Sequence, residues 1–172
     1  MSRPTSQAPD PGWHTLIGRL AWQGDLSIAQ FETMPSAKGV YMLHATANGA
    51  RASIGRALGT DADGVLLIGE STDLRTRGTT LAAAMQYADA TKIEPSHRPG
   101  LEYSPGWGYD FARRFPIEHV LLRWYETDHH KLLEAALLER YRWEFLDRPP
   151  LNASIGNWRG HGRENGWIKI PR

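Results

Sequence analysis

The run Val65-Leu66-Leu67-Ile68, closed by Gly69, constrains this chain more than any other stretch. Its large apolar side chains alternate to both sides of a strand, so neither side can be left to water. Such a strand needs a sheet with cover on each face. The segment "GVYMLHA" at 39–45 has the same two-faced chemistry, and "IEHVLLRWYE" at 117–126 reads as a third strand.

Helices account for the cover. Gly69 permits a tight exit from its strand, and Ser71 or Thr72 suits the cap of a following helix. That helix reaches about residue 87, with Leu74, Leu81 and Met85 on one face. A second helix, 128–146, is strongly patterned and is stopped by Pro149 and Pro150. Ser27 suits the cap of a short helix ending near Met34, and the small residues of 48–64 form a hairpin connection or an insertion. Residues 88–115 are rich in proline, glycine and aromatics; a connection of that length tends to be functional or mobile. The expected organisation is a flexible tail over 1–12, one domain over 13–156, and a basic, tryptophan-containing extension over 157–172.

Composition narrows the chemistry. The 172 residues are 41% hydrophobic and 23% charged, which excludes wholesale disorder. Cysteine is absent, so disulfides, thiolate zinc sites and cysteine nucleophiles are ruled out. A formal net charge of +1 neither demands nor forbids a nucleic-acid partner, so any basic surface must be local. The polar, proline-rich start has no apolar signal core, and no apolar run nears the roughly 20 residues of a membrane helix. The expectation is a soluble, cytoplasmic protein without a membrane partner.

One carboxylate stands in an awkward place. At about 100° per residue, Leu133, Leu137, Tyr141, Phe145 and Leu138 share an arc of about 140°. Glu134 falls inside that arc, whereas Glu139 falls on the polar side. A charge directed at a core costs several kcal/mol unless it is compensated. Glu134 therefore lies where the arc opens to solvent, pairs with an arginine, or binds a metal. His130, one turn earlier, is within reach of a carboxylate on the same side. On the preceding helix Arg77 flanks the apolar face, where its stem can lie along the core and its head can reach a pocket. Arg75 is turned further away and reads as a solvated charge.

In order, "MPSAKGVYML", "VLLIGESTDLRTRG", "LLEAALLERY" and "PPLN" resemble the motifs of the GIY-YIG nuclease family. Gly39-Val40-Tyr41 matches the first triplet and Leu67-Ile68-Gly69 the second. Arg77 falls where the family has its arginine, Glu134 matches the metal-binding glutamate, and Asn152 matches the asparagine after the last helix. The resemblance spans about residues 34–156. Two features depart from it: Leu67 replaces the usual tyrosine, and the gap between triplets is long.

The resemblance implies an α/β (α+β) fold with a three-stranded antiparallel sheet flanked by helices. It also implies a phosphodiester hydrolase using one divalent ion, Mg²⁺ or Mn²⁺. Glu134 would hold the ion, Arg77 would face the phosphate, and Tyr41 would position or deprotonate water. Gly69, Asn152 and His130 would support them. This assignment agrees with the elementary needs of the reaction, a cation on oxygen and a donor for developing charge. A histidine among 97, 119, 129 and 130 is a further candidate for general base in place of a phenol. Arg98, Arg113 and Arg114 in the long connection, and Arg159 and Arg163 in the extension, are candidates for nucleic-acid contact, DNA before RNA. The alternative is a catalytically impaired nucleic-acid-binding module with the same fold.

Overall fold

The computed structural model describes residues 12–86 and 109–152. In chain order it begins with helix α1 (Trp13–Arg19), strand β1 (Gln23–Ser27) and a 3-10 turn (Ile28–Thr33). Strands β2 (Gly39–Ala47), β3 (Ala50–Arg51), β4 (Ile54–Gly55), β5 (Thr60–Asp61) and β6 (Val65–Ser71) come next. Helices α2 (Leu74–Gln86) and α3 (Tyr109–Arg114), a second 3-10 turn (Ile117–His119), strand β7 (Val120–Glu126) and helix α4 (His130–Phe145) complete it.

Strand β2 is central. It pairs antiparallel with β6 on one side and β7 on the other, so that Tyr41 is opposite both Gly69 and Trp124. The three segments read as strands thus share one antiparallel sheet. The sheet has five strands rather than three, because β1 adds to β7 and β3 adds to the end of β2. The segment "QGDLS" gave no strand signal, since Leu26 is its only large apolar side chain. Its pairing is also irregular between Gln23 and Leu26, where Gly24 has φ 77°. A Cβ on Gly24 would collide with the Trp124 ring. The 48–64 stretch holds β3 and a separate two-stranded ribbon of β4 and β5.

Both faces of the sheet are covered, as the apolar strands require. Residues 39–45 are all buried. Tyr41, Leu43 and Leu67 join one cluster with Leu74 and Leu81 of α2 and with Phe31. Val40, Met42 and Ile68 join another with Leu137, Leu138 and Tyr141 of α4 and Trp13 of α1. Burying each such side chain is worth about 1.5–3 kcal/mol. Of the α4 arc, Leu137, Leu138, Tyr141 and Phe145 are buried and Leu133 is partly buried; Trp13 is fully buried, its ring edge-on to Tyr141 at 5.0 Å between centroids.

Local details differ from the expected boundaries for physical reasons. Asp73, not Ser71 or Thr72, caps α2: its carboxylate accepts the Thr76 N–H at 3.3 Å and the Thr76 hydroxyl at 2.9 Å. Ser71 instead accepts from the Asp73 N–H. The short helix after Ser27 is a 3-10 turn, with the Ser27 N–H donating to Gln30 Oε1 at 3.1 Å. The end of the long connection is helical in α3, where Phe111 and Phe115 pack 5.1 Å apart. Strand β7 starts only at Val120, after the turn closed by the His119 N–H on Pro116 O. Among the described residues no helix is long and apolar enough to cross a membrane.

Candidate active site

The site forms at the rim of β6. One edge of that strand pairs with β2; the other is closed by the chain returning after α4. The Leu151 N–H donates to Leu66 O at 2.9 Å. Asn152 then acts as a strand neighbour through its side chain, accepting the Ile68 N–H at 3.0 Å and donating to Ile68 O at 2.7 Å. Among the described residues this cover stops at Ile68, which leaves the rim from Gly69 onward for other groups.

Tyr41 comes to that rim from β2. Its ring lies over Gly69, where a Cβ would collide with the phenol carbon and hydroxyl. Only glycine leaves this space. Arg77 comes from the first turns of α2, and the start of that helix is fastened to the loop before β2. Leu74 N–H donates to Ala37 O at 2.9 Å, and Arg75 N–H to Pro35 O at 3.1 Å. Arg75 is exposed but is not merely solvated: its Nε donates to Met34 O at 3.1 Å, so it fixes the helix that carries Arg77.

Two carboxylates are present on the α4 side of the sheet, one from the helix and one from β6. Glu134, half-buried on α4, and Glu70, at the end of β6, act electrostatically on one another and on Tyr41. His130 is buried one turn before Glu134, but its partner is Glu70 rather than Glu134, with Nε2 3.3 Å from Glu70 Oε2. The other ring nitrogen, Nδ1, lies 3.2 Å from Asp128 O.

These neighbours set the proton affinities. Burial, reinforced by the Glu70 charge, pushes Glu134 up to about 7, with Arg77 pulling against it. Burial pushes the Tyr41 hydroxyl up to about 12; Arg77 opposes this, while Glu134 and Glu70 add to it. The Arg77 guanidinium favours loss of the phenol proton, but burial outweighs it. Tyr41 is therefore a protonated donor near neutral pH.

Tyr41, Arg77 and Glu134 are within electrostatic reach of one another, Gly69 lies under the Tyr41 ring, His130 contacts Glu70, and Asn152 secures the adjoining strand. Leu67 is buried opposite Leu43. Arg113 and Arg114 are exposed at the end of α3, where the Arg114 guanidinium lies 5.5 Å from the Phe115 ring centroid. His119 and His129 are exposed. Arg98, Arg159, Arg163 and His97 lie outside the described residues. Glu70 is the neighbour of Glu134 and His130 that sequence reasoning missed. Its signal was a carboxylate placed directly after the glycine that ends an apolar strand. No family model, curated protein or solved structure matches the chain.

Proposed function

We propose that this protein is a metal-dependent endonuclease of the GIY-YIG kind, hydrolysing phosphodiester bonds in nucleic acid, DNA before RNA. The observation that carries this reading is the meeting of Tyr41, Arg77 and Glu134, brought from β2, α2 and α4 to within electrostatic reach of one another. The antiparallel trio β2, β6 and β7 supports the same reading, with β1 and β3 as additions.

Each side chain suits a part of the reaction. Arg77 offers forked donors that match a phosphate and carry its developing charge. Tyr41, held neutral, donates a hydrogen bond and orients water or a phosphoryl oxygen rather than taking a proton. The carboxylates of Glu134 and Glu70 are hard oxygen donors of the type Mg²⁺ and Mn²⁺ prefer, and Mg²⁺ commonly takes one or two carboxylates and keeps several waters. Among the described residues no three His, Asp or Glu side chains are grouped to hold an ion. When bound, such an ion supplies electrophilic stabilisation at the phosphoryl oxygens.

The test is incubation of purified protein with supercoiled plasmid, with and without Mg²⁺ or Mn²⁺. Nicked circles should form only with metal, should be lost in Glu134→Gln, and should persist in Glu139→Gln. The buried Leu67, where the resemblance calls for a phenol, favours the second reading of a binding module. Salt-dependent binding without cleavage of plasmid, single-stranded DNA or RNA would put that module in the nuclease's place.

A further inference from the structure

Glu70 has no role in the resemblance, yet its surroundings are specific. It follows Gly69 on β6, opposite Val40 of β2, so its backbone is fixed by the sheet. Its Oε2 lies 3.3 Å from His130 Nε2, and the His130 side chain is only 9% exposed. That nitrogen is shut away from solvent and makes no aligned hydrogen bond. The opposite ring nitrogen faces the Asp128 carbonyl, which fixes the ring plane. His130 and Glu134 stand one turn apart on α4, and side chains at that spacing are neighbours. A buried imidazole thus points at one carboxylate and stands beside a second.

We propose that Glu70 is a second carboxylate ligand of the divalent ion at Glu134, and that His130 is the positioning residue that holds it there. This inference rests on the proposed metal site. A carboxylate has two oxygens: Oε2 faces His130, which leaves Oε1 for the ion. Ligating carboxylates are commonly held in this way by a neighbouring group, and loss of the holder typically costs 10–100-fold in metal affinity.

Mn²⁺ binding to the purified full chain, read from the loss of the free-ion electron paramagnetic resonance signal, tests this without any turnover. Wild type should bind Mn²⁺. Both Glu134→Gln and Glu70→Gln should weaken binding at least about 10-fold. His130→Ala should weaken it by about 10-fold or more, and His130→Gln, which restores a donor, should recover much of the loss. Melting temperatures in EDTA identify any variant whose loss is one of folding. The proposal for Glu70 is overturned if Glu70→Gln binds Mn²⁺ as wild type does while Glu134→Gln does not; the nuclease reading then still stands. If both variants bind as wild type, or wild type fails to bind millimolar Mn²⁺, the metal site itself is wrong. Equal losses in His130→Ala and His130→Gln would remove the positioning role from His130.

Discussion

The Tyr41 ring occupies the volume that any side chain at position 69 would need. Residues 41 and 69 are direct cross-strand partners in the β2–β6 pairing, so neither can slide away without breaking the ladder. Gly69→Ala should therefore swing the phenol off the rim while leaving the sheet intact. Plasmid nicking should fall about as far as in Tyr41→Phe, with an unchanged far-ultraviolet circular dichroism spectrum. Full activity in Gly69→Ala would show that the phenol's placement over the rim is irrelevant.

Tyr41→Phe deletes one oxygen from a buried ring. A positioned proton donor or acceptor is typically worth 10² to 10⁴-fold, so single-turnover cleavage should fall within about that range. Affinity for DNA, measured by fluorescence anisotropy in EDTA, should hardly change. Arg77→Ala should reduce both cleavage and affinity, because its charge acts on bound phosphate as well as on the reaction.

Glu134 links stability to pH. Its folded value of about 7 lies above the ordinary 4.5, so the folded state holds a proton that the unfolded state releases. That contribution is fully present below about pH 4.5 and is lost as pH rises through about 7. Glu134→Gln is free of this loss. Solvent screening of a half-buried group limits the effect to about 1–2 kcal/mol. In EDTA the variant should melt about 2–8 °C above wild type at pH 8, and the gap should close near pH 4.5. A gap that is constant with pH would remove the strained carboxylate from the account.

Asp61 is a structural carboxylate in the ribbon beside the sheet. It is fully buried and accepts from the Tyr141 hydroxyl at 2.8 Å and the Val65 N–H at 2.9 Å. Arg56 Nη2 lies 3.4 Å from it. Removing one partner of a buried pair leaves the other charge uncompensated, at a cost of about 3–5 kcal/mol. Asp61→Ala should lower the melting temperature by about 6–20 °C in calorimetry. A shift of under a degree would mean that water replaces the carboxylate freely.

Strongly patterned elements were legible because burial dictates their chemistry. The segments at 39–45 and 65–69 could only be two-faced strands, and the apolar arc of α4 marks Glu134 as misplaced from the sequence alone. Strand β1 was not legible, since a polar edge strand is defined by its neighbour β7 rather than by its own residues. Tyr41, Arg77 and Glu134 were singled out as candidates through a resemblance and a helical wheel. Glu70 was not, because a charge at a strand end looks like the beginning of a turn. His130 was placed on the correct helix face but with the wrong carboxylate, since one helix cannot reveal what a strand brings opposite it. Asp73 displaced Ser71 as the cap because Ser71 is still in β6.

The return of the chain over β6 also bears on solubility. The strand carrying the most apolar run in the protein lies at a sheet edge, the place where one molecule can recruit a strand from another. Leu151 and the Asn152 amide occupy the backbone groups of Leu66 and Ile68 that such a strand would seek. What they leave of the edge is too short to template a foreign strand. A chain cut before Pro149 would keep Tyr41, Arg77, Glu70 and Glu134, yet it would present "VLLI" as a sticky border and be drawn towards aggregation.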